Sequence, residues 1–227
     1  MSEKHTQTDT DELQAAVRHA RGFWEKHSRN IVKVSSAVIL IIGAYLGYKY
    51  LYQQPREEKA MEEIYGAEEL FRQDSLSLAL NGTPTIPGFL KVIKKYPGTQ
   101  TANIAHYYAG VCYLHLGDFK NAVTQLEEFD ANGALQVEAK AHGLLGDAYS
   151  EQKQNDKAIK HYQKASSTFP EDQGLSSEYL FRAAMLQDIS GDKKGAIESL
   201  KTLKEKFPRT EKGFQAEKHL ARLGETD

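Results

Sequence analysis

Three aromatic-proline steps set the frame of this chain: Tyr96-Pro97, Phe169-Pro170 and Phe207-Pro208, separated by 73 and 38 residues. These intervals are close to two periods and one period of a mid-thirties repeat, the period of helical-hairpin solenoids. Proline ends a helix because it has no amide donor and its ring clashes with the preceding turn. Between the steps, two windows overlay residue by residue. Gly110, Tyr113, Gly117 and Ala122 of AHYYAGVCYLHLGDFKNAVTQLEEF correspond to Gly146, Tyr149, Lys153 and Ala158 of AHGLLGDAYSEQKQNDKAIKHYQKASSTFP, which continues through Tyr162 and Ala165 to Pro170. A third window, with Ala184, Gln187, Gly191, Ala196, Leu200 and Pro208, keeps the same frame with less identity.

On these residues the chain resembles the tetratricopeptide repeat family, whose helix-turn-helix unit carries small residues where its two helices touch and a proline after the second. The resemblance places Gly110, Gly146 and Ala184 in first helices and Ala122, Ala158 and Ala196 in second helices, where a small side chain lets the facing helix approach. Gly117-Asp118 and Gly191-Asp192 supply tight turns, and Gln154-Asn155-Asp156 takes that place in the middle unit. The first full unit departs from the pattern, with Asp130-Ala131-Asn132-Gly133 in place of a terminal proline. His106, His142 and Leu180 stand where the family has an aromatic residue.

The expected fold class is all-α: an N-terminal transmembrane helix, then a solenoid of helical hairpins with a capping helix. The solenoid should run over 56–224, with an irregular hairpin at 56–97, repeats at about 103–136, 139–172 and 177–210, and a cap at 211–224. In the irregular hairpin, one helix from about Arg56 to Ala79 and another from Gly88 to Tyr96 flank the loop Asn81 to Pro87. Phe214, Ala216, His219, Leu220 and Leu223 give the last helix an apolar face suited to covering the end of the array.

The stretch 31–52, IVKVSSAVILIIGAYLGYKYLY, is apolar for 22 residues. As a helix it spans about 33 Å, against a bilayer hydrocarbon core of about 30 Å. Lys33 and Lys49 lie near its ends, where their stems can return the ammonium groups to the headgroups. Tyr45, Tyr48, Tyr50 and Tyr52 at one end and Trp24 beyond the other resemble an interfacial aromatic belt. A cleavable signal peptide is disfavoured, because thirty residues precede the segment and bulky tyrosines follow it. Arg18, Arg21, Lys26, Arg29 and Lys33 on the N-terminal side outnumber Lys49, Arg56 and Lys59 on the other, which favours a cytoplasmic N-terminus. Leu13, Val17, Ala20 and Trp24 at helical spacing make 1–30 a cytoplasmic tail with an amphipathic interfacial helix or a solvated tail. Ser35, Ser36, Gly43 and Gly47 form a small-residue face suited to helix packing within a membrane.

Composition removes several function classes. A net charge of −2 gives no basic domain for nucleic acid. The single cysteine, Cys112, allows no intrachain disulfide and reads as a small core residue. Glycine-rich phosphate loops, paired cysteines and His-Glu zinc helices are all missing from the sequence, so no catalytic residue, cofactor or metal is expected. His106 and His142 share one repeat position, which predicts one packing role in two copies. The expected binding surface is the concave face of the first helices: Tyr107, Val111 and Leu114, then Lys140, Asp147 and Ser150, then Phe181, Arg182 and Met185. Such a groove suits an extended or helical peptide. Tyr107 and Val111 replace the polar residues with which related domains clamp a terminal carboxylate, so that specificity is not expected.

The layout of tail, single span ending in GYKYLYQQPREEKA, and first full repeat is similar to the YfgM-like group of bacterial tetratricopeptide proteins, ancillary subunits of the Sec translocon. This resemblance implies an inner-membrane protein with a periplasmic, non-enzymatic scaffold whose partners are translocon subunits, periplasmic chaperones or emerging polypeptides. A structural adaptor in cell-envelope assembly, working through the convex face or the cap, is the competing expectation.

Overall fold

The computed structural model describes residues 3–225, with side-chain surroundings for Arg18, Arg21, 24–30 and 32–225. It comprises two units, Met1–Pro55 and Arg56–Asp227. In the first unit, helix α1 (Glu3–Gly47) is followed by a wider π-helical turn, Tyr48–Gln53. Val34, Ile39, Leu40 and Ile41 are between 64% and 73% exposed, so this segment forms no core of its own. Tyr48 and Tyr52 bring their rings to 5.4 Å across the π turn. The side chains of Leu13, Val17 and Ala20, on which the amphipathic expectation rests, lie outside the described residues; Trp24 is exposed.

Helix α2 (Gln54–Arg72), α3 (Leu76–Asn81) and α4 (Phe89–Lys95) make the irregular hairpin. The single helix expected from Arg56 to Ala79 is in fact two. The chain leaves α2 through Asp74 at φ 58°, with the Asp74 and Ser75 amides donating to the Phe71 and Leu70 carbonyls at 3.0 and 2.9 Å. Aspartate visits this left-handed region more readily than most residues. The loop after α3 closes on itself: Gly82 sits at φ 86°, and a Cβ on Gly88 would lie 2.3 Å from the Gly82 nitrogen. Ala60, Ile64, Phe89, Val92 and Tyr96 of this hairpin share one core with Ala105, Ala109 and Cys112 of the next helix.

That next helix, α5 (Gln100–His115), pairs with α6 (Phe119–Glu128); α7 (Leu135–Glu151) pairs with α8 (Asn155–Thr168); and α9 (Gln173–Ile189) pairs with α10 (Lys193–Lys206). Helix α11 (Glu211–Arg222) packs on α10 and α9. Asp118, Asp172 and Asp192 each cap a helix, accepting an amide of its first turn at 3.2, 3.0 and 2.9 Å. Thr99 and Thr210 do the same for α5 and α11.

The small residues sit where the paired helices cross. A Cβ on Gly110 would meet Leu126 at 2.5 Å, and one on Gly146 would meet the Tyr162 ring at 2.5 Å. Ala122, Ala158, Ala184 and Ala196 are fully buried. Between paired helices the chain turns through a left-handed residue at equivalent positions, Gly117 (φ 79°), Lys153 (φ 61°) and Gly191 (φ 90°). In the middle unit the reversal therefore falls on Lys153, and Gln154 opens α8.

Candidate protein-binding groove

The first helices α5, α7 and α9 carry the residues expected to bind, and the structure sorts these into three neighbourhoods. Helix α6 has 10 residues where α8 and α10 have 14. In place of its last turn the chain runs out through extended Phe129 into a loop with Asn132 at φ 49° and Gly133 at φ 83°. Asn103 of α5 pins that loop, donating to the Asp130 carbonyl at 2.7 Å and accepting its amide at 2.8 Å.

Shortening α6 leaves a cavity of about 370 Å³ between α5, the loop and α7. Ile104, Tyr107, Tyr108, Phe129 and Val137 supply its apolar walls, and Lys140 stands at its edge. Tyr107 meets Phe129 at 5.2 Å and Tyr108 at 5.9 Å between ring centroids, which fixes its ring against the wall. Burial pushes the Tyr107 hydroxyl above the usual phenol range, so it stays a neutral donor and acceptor. The arrangement suits an apolar side chain with a polar backbone beside it.

The second neighbourhood is a polar tie across the array. Asp147 accepts from the Tyr162 hydroxyl at 2.7 Å and from Arg182 at 2.7 Å. Arg182 also donates to Glu178 at 2.8 Å, and Lys212 of α11 lies 3.3 Å from Glu178. Burial opposes the charge on Arg182, but its bonds to Glu178 and Asp147 outweigh that and hold the guanidinium more firmly protonated. Burial and the neighbouring Asp147 push Tyr179 up to about 12. Asp147 and Arg182 are thus engaged with each other and link successive units.

Phe181 and Met185 form the third neighbourhood, packing on the last core beside Leu200, Leu203 and Leu220. Phe181 meets His219 edge-on at 5.3 Å and carries the Lys212 ammonium 5.0 Å from its ring. Of the rest, Val111 is half-buried. Leu114 packs against the middle core, and Ser150 accepts the Lys153 amide through its carbonyl at 2.9 Å. The structure therefore brings Tyr107 and Lys140 to one cavity, and it adds Ile104, Tyr108 and Phe129. The signal for these additions was the missing proline after α6, which marks a shortened helix.

His106 and His142 occupy corresponding places. His106 Nδ1 lies 2.9 Å from Gln125 Oε1, and His142 Nδ1 lies 3.1 Å from His161 Nδ1. Among the described residues no group of three His, Cys, Asp or Glu side chains is placed to hold a metal ion. Cys112 is buried, and burial pushes its thiol up to about 12.

Stacked helical hairpins with a groove on the first helices define an α-solenoid of the kind that binds proteins. Residues 139–172 match one form of the tetratricopeptide repeat, and residues 105–132 and 178–210 match another; these three stretches are tetratricopeptide repeats. The fold is shared with MamA, residues 41 to the end, from Desulfovibrio magneticus RS-1: 24% identity, TM-score 0.54, over 79% of this chain and 93% of that one. It is also shared with kinesin light chain TPR-like repeats from Podosopora anserina: 14% identity, TM-score 0.55, over 74% of this chain and 86% of that one. No curated protein matches the chain.

Proposed function

We propose that this protein is a non-enzymatic scaffold, tethered to a membrane by residues 31–52, that holds protein partners in the groove between α5 and α7. The tether rests on one observation above all: the most apolar window of the N-terminal helix is wholly unburied, a state in which water would be a poor solvent for it. The groove supplies the binding chemistry, since aromatic walls beside a lysine accept an apolar side chain and a backbone carbonyl or carboxylate. Tethering confines the groove to a plane, so modest affinity suffices for partners in the same membrane.

The basic residues before the span favour a cytoplasmic N-terminus and a repeat array on the far side. With the layout shared with the YfgM-like group, that orientation supports a bacterial inner-membrane protein whose array faces the periplasm and meets translocon subunits, chaperones or emerging polypeptides. A second reading, an envelope adaptor working through the cap, is favoured by Phe214 of α11, which is 72% exposed. Photocrosslinkers placed at Tyr107 and at Phe214 in intact cells separate the two. Capture of secretory chains or translocon subunits from Tyr107 supports the groove; capture confined to Phe214 overturns it for the cap. A cysteine at Asn132 that reacts with an impermeant reagent only after the inner membrane is broken would overturn the orientation.

A further inference from the structure

In the middle repeat, two half-buried imidazoles face each other across the α7–α8 pair, His142 Nδ1 and His161 Nδ1 at 3.1 Å with ring centroids at 5.3 Å. At that distance one Nδ1 carries the hydrogen and the other accepts it, so the contact holds only while at least one ring is neutral. The corresponding contact of the first repeat, His106 to Gln125, has no such requirement, because an amide oxygen accepts from either form of histidine. The third repeat has Leu180 and Ser199 at these positions and no imidazole at either.

We infer that the His142–His161 contact is an acid-sensitive latch that holds α7 on α8 near neutral pH, releases it on acidification, and so loosens the wall that α7 gives to the groove. Helix α7 supplies Val137 and Lys140 to that cavity, so its hold on α8 bears on the shape of the site.

Most of the surroundings work in the same direction. On α8, Lys157, Lys160 and Lys164 surround His161. From α6, Glu127 opposes them by favouring the charged form of His161, while it also accepts the Tyr149 hydroxyl at 2.7 Å. On α7, Glu138 lies 3.8 Å from His142 Nε2 but shares its oxygen with Lys164 at 3.7 Å, and Tyr149 stacks on His161. Asp130 of the α6–α7 loop lines the same hollow as His142, and α9 meets α8 through Tyr179 against Tyr162. Burial, then Lys164 and the facing ring, hold His142 down to about 4, and burial likewise lowers His161. An unfolded histidine takes up its proton near about 6.5, so the unfolded chain gains protons first and stability falls as pH drops from that value toward about 4.

The test is hydrogen exchange on the full chain at pH 7 and pH 4, corrected for intrinsic rates, for the native protein and for His161→Gln, which copies the first repeat's pair. Native α7 and α8 amides should lose about tenfold or more in protection between the two pH values, while the His161→Gln protein loses clearly less. A double change, His142→Leu with His161→Ser, copies the third repeat and should likewise lose less, so a failure of one variant to fold leaves the test intact. Equal losses in native and variant proteins, or a native loss no larger in α7 and α8 than in α5 and α6, would overturn the latch. The readout needs no partner, so that outcome would leave the proposed scaffold role standing.

Discussion

Lys153 is the one lysine at a turn position that its neighbours fill with glycine, and it holds φ 61° where Gly117 and Gly191 hold 79° and 90°. A side chain with a Cβ is strained there, so Lys153→Gly should stabilise the array by about 1 kcal/mol, read as an upward shift in the denaturation midpoint. Arg182 gives the opposite case. Replacing it with Met leaves Asp147 and Glu178 without their shared partner, but the pair is partly solvated, with side chains 41% and 29% exposed for Arg182 and Asp147. The loss should therefore be only about 1 kcal/mol, well below that of a fully buried pair. A double-mutant cycle with Asp147→Asn measures the coupling directly.

At the scale of the helix, the closeness of paired helices depends on what their crossing points lack. Gly146→Val would drive a branched side chain into the Tyr162 ring and should cost about 1–3 kcal/mol in equilibrium unfolding. Asp192→Ala removes the carboxylate that accepts the Gly195 amide and should cost about 1 kcal/mol. The repeat frame was legible in the sequence because small crossing residues and terminal prolines recur at fixed spacing and act locally. The break at Asp74 was not, since nothing in residues 70–76 forbids helix; the chain turns there because the hairpin core closes around Phe71 and Phe89. Tyr107 and Lys140 could be placed in the groove from the frame alone. Ile104, Tyr108 and Phe129 could not, because their exposure depends on how much of α6 is missing. The Asp147–Arg182 tie joins residues 35 apart and is visible only once the helices are stacked.

For the molecule as a whole, every buried apolar residue of the described core lies at or beyond Ala60. Deleting residues 1–55 should therefore leave a folded, water-soluble array with cooperative unfolding, and dissolved protein that needs detergent after the deletion would contradict this. Helices in the array touch mainly the elements beside them, so a mechanical load passes through it in series rather than being shared. At the head of the array Glu57 of α2 clasps the start of α5, accepting the Gln100 amide, the Thr101 amide and the Thr101 hydroxyl at 2.7, 2.8 and 2.6 Å. At the tail α11 rests on α10 and α9, the one hairpin beside it. Pulled from its two ends, the array should peel from the tail inward, one hairpin at a time, whereas a pull on the groove against a hold on α2 would load only the elements between them and leave the tail slack.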